Sequence, residues 1–126
     1  MIAGTGVDIV EIERIRGMTE RLKDRFANRV FTAEEQWFCY RYRDSAPHFA
    51  ARFAAKEALF KALGTGWAKG VSWLDCEVLR KDSEAPVMML HGQALKRSEL
   101  LGVQRIHLSI SHTDQYAVAT VVLETA

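Results

Sequence analysis

An α+β fold, with a mainly antiparallel sheet packed on a long central helix, is predicted by three observations. The stretch from Phe49 to Gly66 reads as a helix that is apolar almost all the way round, which means burial. Strand-like segments are separated by helical ones instead of running together. The chain then ends in alternation: Ile106, Leu108 and Ile110 point to one face while His107, Ser109 and Ser111 point to the other. A tight connection at His112 to Gln115 leads into a last strand from Tyr116 to Leu123, so the end is a hairpin. With 126 residues the chain fits one domain, 1–126, large enough to bury a core but tight for two large substrates.

Ile2 to Val10 reads as a short glycine-containing strand, and from Glu11 a helical pattern follows in which Ile12, Ile15, Leu22 and Phe26 recur. Asp8 thus falls beside a strand-to-helix junction. Thr32 with Glu35 forms a capping box that opens a second helix through Trp37, Phe38 and Tyr40, stopped at Ser45-Ala46-Pro47. The central helix follows, then a glycine-punctuated loop from Gly64 to Gly70. Leu74, Cys76 and Val78 alternate with Asp75 and Glu77 as a strand, Pro86 to Leu90 is its partner, and Gln93 to Leu101 is a short amphipathic helix.

The formal charge is +1, from 17 basic and 16 acidic residues, so overall charge does not make the chain a nucleic-acid binder. Cys39 and Cys76 lack metal-ligand spacing and read as small buried residues of a reducing, cytoplasmic compartment. No apolar run approaches the ~18–20 residues of a membrane span, and the first residues lack a basic segment of the signal-peptide kind.

The central helix carries Arg52, Lys56, Glu57 and Lys61 among its apolar residues. Glu57 and Lys61 share one sector and Arg52 and Lys56 a neighbouring one. Buried charges need partners: a carboxylate can hold a metal, and a basic set can hold an anion. Glu57 and Lys61 also have the spacing of an exposed helix pair worth only ~0.3–0.5 kcal/mol, and Asp8 that of a first-turn residue. If the first strand lies beside the helix, Asp8 and Glu57 converge as two oxygen ligands for Mg²⁺. Gly64-Thr65-Gly66 reads either as a helix C-cap or as a cap whose backbone amides also touch phosphate. Ser109, Ser111 and His112 lack the elbow of a serine hydrolase and read either as polar positions that hydrogen-bond a ligand or as a solvated sheet face. Arg14, Met18, Arg21 and Arg25 recur at intervals of four, three and four, a stripe suited to an acidic amphipathic partner helix or simply to water.

Four segments together resemble the holo-acyl-carrier-protein synthases, the short 4'-phosphopantetheinyl transferases: Gly6-Val7-Asp8-Ile9-Val10-Glu11-Ile12; Arg52 to Ala58 with Lys61 to Gly66; Trp73-Leu74-Asp75; and Ser109-Ile110-Ser111-His112. The resemblance covers essentially the whole chain and implies that family's fold. It further implies transfer of the phosphopantetheine arm of coenzyme A to a serine of an acyl carrier protein, releasing adenosine 3',5'-bisphosphate, in support of fatty acid biosynthesis. By the same resemblance, Asp8 and Glu57 hold Mg²⁺ and act with Lys61 in the chemistry. Arg52, Lys61, Gly64, Thr65, Gly66, Ser109 and His112 meet the coenzyme. Arg14, Met18, Arg21 and Arg25 dock the carrier, and the enzyme is a homotrimer with Arg52 and Lys61 facing His112 of an adjacent chain. The turn Lys81 to Pro86 departs from the Asn/Gly-containing sequence often found before the family's proline. Two other classes compete: a metal-dependent phosphohydrolase, which needs both carboxylates, and a non-catalytic nucleotide- or acidic-protein-binding module, which keeps the Arg stripe and the basic helix but does not need Asp8 and Glu57 together.

Overall fold

Two glycines decide how closely sheet and helix meet. In the computed structural model, which describes every residue except 67, 68 and 82, strand β1 (Ile2–Glu11) runs along helix α4 (Ala46–Leu63). A Cβ built on Gly4 or Gly6 would overlap the carbonyl oxygens of Ala62 and Ala58, so only glycine lets the strand lie on the helix backbone. β1 pairs antiparallel with β5 (Tyr116–Thr125), which pairs antiparallel with β4 (Val103–His112), giving the order β1-β5-β4. Val10, Ala117, Ala119, Val121 and Leu123 bury the inner face. Asp8, in register with Ala119 and Ile110, belongs to that face, whereas Val7, Thr120 and Ser109 form a row on the outer one.

The remaining elements close around α4. The helical pattern after β1 is not one helix but two, α1 (Ile12–Leu22) and α2 (Asp24–Val30), because Lys23 takes a left-handed φ of 50°. The break re-aims the second segment so that Phe26, Ala27 and Val30 are buried, with Phe26 against Phe31 and Phe53. Helix α3 (Ala33–Tyr40) opens on the expected Thr32–Glu35 capping box. Pro47 does not stop α3, which ends at Tyr40; it stands in the first turn of α4, where its missing N–H costs no helical bond. Leu74 is not in the strand its alternation suggested. Trp73–Asp75 is a 3₁₀ turn held by Asp75, whose carboxylate accepts from the Ser72 amide at 3.2 Å, and β2 (Cys76–Leu79) starts after it. β3 (Val87–Leu90) pairs with β2, and α5 (Gly92–Leu100) leads to β4. Trp67 and Ala68 of the expected glycine loop, and Asp82 of the expected turn, lie outside the described residues.

Cys39 and Cys76 are buried and free, and burial pushes both thiols up, that of Cys39 to about 12. Among the described residues no helix is long and apolar enough to cross a membrane.

Candidate active site

From Phe49 to Leu63 every residue of α4 is buried except Glu57 and Lys61. The helix therefore meets water through one acid and one base. Lys61 Nζ donates to Asp8 Oδ1 at 3.0 Å and to the Val7 carbonyl at 3.0 Å, so it pairs with the strand rather than with Glu57 one turn away. Asp8 keeps 17% of its side chain exposed against 52% for Lys61, which places the carboxylate at the lip of the cluster and the ammonium in water. Burial pushes the Glu57 carboxyl above the ordinary glutamate range, and the negative charge of Asp8 pushes it further, while Lys61 and Arg14 pull it down. The glycine strand thus carries Asp8 alongside α4, within electrostatic reach of Glu57. Among the described residues no group of three or more His, Cys, Asp or Glu is gathered, so the chain offers two hard oxygen anions and not a complete cage. This donor set fits Mg²⁺, which keeps several waters and takes substrate phosphate as a ligand.

Beside Glu57 a groove of about 560 Å³ runs between α1 and α2. Arg14, Met18 and Arg25 line it, with Phe53 and Trp73 among its apolar residues; the Arg14 guanidinium lies 5.6 Å from the Phe53 ring centroid. Arg21 does not line it. The break at Lys23 ends the straight stripe, and Arg25 reaches the groove from a second helix together with Arg29.

The basic pair Arg52 and Lys56 does not form one anion site. Lys56 is fully buried and donates to Glu35 Oε1 at 2.7 Å, the Val30 carbonyl at 2.7 Å and the Trp73 carbonyl at 3.1 Å, so its anion is internal. Arg52, 2% exposed, lies 4.1 Å from the Phe38 ring centroid and donates through Nη1 to the His48 carbonyl, while its Nε and Nη2 have no hydrogen-bond partner among the described residues. His48 stacks on Tyr42 with centroids 3.6 Å apart and meets the His112 ring edge-on at 5.9 Å. Burial, then the charges of Arg52, His112 and Arg80, lower His48 to about 4, so it is neutral at physiological pH. Arg52, His48 and His112 thus form a cluster of one guanidinium and two imidazoles toward the N-terminal end of α4, apart from Lys61 at the other end. The expected grouping sets Arg52 and Lys61 against His112 of an adjacent chain; within one chain His112 meets His48, whose carbonyl accepts from Arg52.

The remaining candidates lie at the C-terminal end of α4 and on β4. Gly64 is the left-handed C-cap of α4, and the amides of Thr65 and Gly66 both donate to the Phe60 carbonyl. Thr65 is buried with its hydroxyl on Phe60 and Gly66 carbonyls, so these groups cap the helix. Ser109 stands on the outer sheet face, opposite Asp8, because its register position is odd where that of Ile110 is even. His112 is the last residue of β4 and not part of the turn.

Sequence reasoning missed His48 and Arg29 as site neighbours and gave Trp73 no role beyond its motif. Arg29 had a signal, since it follows Arg25 by four residues. His48 had none, because tertiary packing alone brings it in. Glu35 was read only as a cap.

A profile of the 4'-phosphopantetheinyl transferase superfamily matches residues 4–121. The holo-[acyl-carrier-protein] synthase of Koribacter versatilis is 51% identical over 124 residues, covering 98% of this chain and 99% of that protein. The Neisseria meningitidis holo-[acyl-carrier-protein] synthase superposes with a TM-score of 0.88 at 36% identity, covering 99% of this chain and 100% of that one. The Helicobacter pylori enzyme, crystallised in complex with coenzyme A, gives 0.83 at 33% identity over 95% of this chain and 99% of its own. Matched over nearly its whole length by that family's profile and by these relatives, the chain belongs to the holo-acyl-carrier-protein synthases of the 4'-phosphopantetheinyl transferase superfamily.

Proposed function

We infer that this chain, as one transferase domain over 1–126, moves 4'-phosphopantetheine from coenzyme A to the serine of an apo-acyl carrier protein. The observation that carries the reading is the single wet opening of α4, where Glu57 and Lys61 meet an Asp8 delivered by a glycine strand. A serine oxygen attacks the phosphorus that bears the pantetheine arm, the bond to the bridging oxygen breaks, and adenosine 3',5'-bisphosphate leaves. Asp8 and Glu57 are the ligands for Mg²⁺, which when bound neutralises charge on the pyrophosphate. Lys61, exposed and tethered to Asp8, places a positive charge or a proton on the departing phosphate oxygen. The proton of the serine goes to Asp8 or Glu57 through an intervening water.

The groove supports the docking assignment. Arg14, Met18 and Arg25 offer charge and an adaptable thioether to an acidic helix next to Glu57, with Arg21 as a rim charge. Arg52 and His112 are assigned to coenzyme phosphate. A buried guanidinium with Nε and Nη2 unpartnered among the described residues, beside His48 and His112, is a place where an anion is favourable. Since this cluster stands apart from Lys61, a complete site is assigned to a junction between copies, in a homotrimer. The outer sheet face, where Val7 is 57% and Ile9 64% exposed, supplies apolar surface for such contact. The reduced buried cysteines suit the cytoplasm.

The test is to incubate the protein with coenzyme A, Mg²⁺ and apo-acyl carrier protein and weigh the carrier intact. A carrier heavier by one phosphopantetheine supports the transferase. Coenzyme hydrolysis with an unmodified carrier would favour a metal-dependent phosphohydrolase, and binding without turnover a non-catalytic module.

A further inference from the structure

We propose that the buried Lys56–Glu35 pair is a positioning device that sets the wall of the carrier groove facing α1. Neither residue has any exposed surface. All three Lys56 N–H groups are used, on Glu35, on the Val30 carbonyl at the end of α2 and on the Trp73 carbonyl in the 3₁₀ turn. Glu35 Oε1 also accepts from the Thr32 amide at 2.9 Å, and Oε2 accepts from the Val78 amide of β2 at 2.9 Å. One ion pair thereby ties α4 to the end of α2, the start of α3, the 3₁₀ turn and β2. Val30 and Trp73 line the groove that Glu57 also borders, and Glu57 is the next residue after Lys56.

Stability alone does not account for charge here. The desolvation of a buried ion pair commonly cancels its attraction, and a packed apolar pair of similar volume is often as stable. What an apolar pair lacks is direction. A lysine whose donors point to two named carbonyls and one carboxylate admits one placement of those backbones, and a fully satisfied network of this kind rigidifies what it joins. The groove wall is held by these backbone carbonyls, so the pair fixes the distance from Trp73 and Val30 to α1 without touching substrate.

The inference rests on the transferase reading, and the experiment separates the two. Lys56→Met/Glu35→Gln removes both charges at nearly constant volume. With the wild-type chain transferring phosphopantetheine, the double variant is expected to melt cooperatively, to bind coenzyme A with unchanged affinity by calorimetry, and to show a carrier KM raised at least tenfold. Amide exchange should quicken at residues 30–32 and 73–76 and not in β5. A folded double variant with native carrier KM and native exchange at those residues overturns the positioning role. An equal loss of coenzyme affinity overturns it as well, by making the pair a general support of the site. A wild-type chain that fails to modify the carrier overturns the functional reading and this inference with it. Should the double variant not fold, Glu35→Gln, which keeps an acceptor for Val78, carries the test with a smaller rise in KM and the same exchange pattern, and native values for both again overturn the proposal.

Discussion

Lys56 and Glu57 are neighbours on one helix and live in opposite electrostatic worlds. Lys56 is dry, opposed by Glu35, and has every donor engaged. Glu57 is half-buried beside a second carboxylate, with its proton affinity raised and its nearest cation committed to Asp8. A charge whose partners are complete builds architecture. A charge left in partial conflict at the edge of water is poised for a ligand that relieves it, and Mg²⁺ or a transferable proton does that. The difference arises because 100° of rotation turns one side chain into the core and the next to the mouth of the groove.

The largest effect should come from the conflicted side. Asp8→Asn and Glu57→Gln each remove a hard anion at constant volume, and each is expected to lower kcat by at least about 10²-fold while far-UV circular dichroism and cooperative melting persist. Near-normal turnover at limiting Mg²⁺ in either variant would sink the ligand assignment.

Stability should separate the two lysines of α4. Lys56→Met strands a buried carboxylate and is expected to cost about 3–5 kcal/mol, whereas Lys61→Met breaks a half-exposed pair and should cost about 0–1 kcal/mol. Denaturant midpoints at neutral pH measure both, and equal losses would erase the contrast.

The groove offers a finer contrast between Arg14, which lies over Phe53, and Arg21, which stands outside it. Arg14→Glu should raise the carrier KM several-fold more than Arg21→Glu, with coenzyme binding unchanged in both, because a charge at the contact counts for more than one at the rim. Equal effects would move the docking face onto α1 as a whole.

The smallest effect is a titration. Folding raises the Glu57 pKa, so its protonated form favours the fold and its charged form weighs against it once the pH rises through the raised value. Glu57→Gln, which mimics the protonated form, is expected to raise Tm slightly at pH 7 in the absence of metal. The gap should close as the pH falls below the ordinary glutamate range. Asp8→Asn should also lower the Glu57 pKa read from its carboxyl carbon by NMR. A carboxyl that titrates normally in the wild-type chain would show that the two acids do not share a field.

Much of this was legible in order along the chain. The Thr32–Glu35 box, the all-round apolar helix and the terminal alternation each depend on residues within a few positions of one another, and local periodicity reports such features directly. The sequence by itself also determined the chemistry available at the site, since Asp8, Glu57 and Lys61 are the right groups whatever they touch. Partnership belonged to the tertiary structure: Lys61 meets Asp8 across 53 positions, Lys56 meets Glu35 across 21, and His48 meets His112 from the far end of the chain. The break at Lys23 was likewise decided by what had to be buried around α4. A side chain's type is fixed by its codon, but its charge state and its role depend on which distant groups the fold sets within a few ångströms of it.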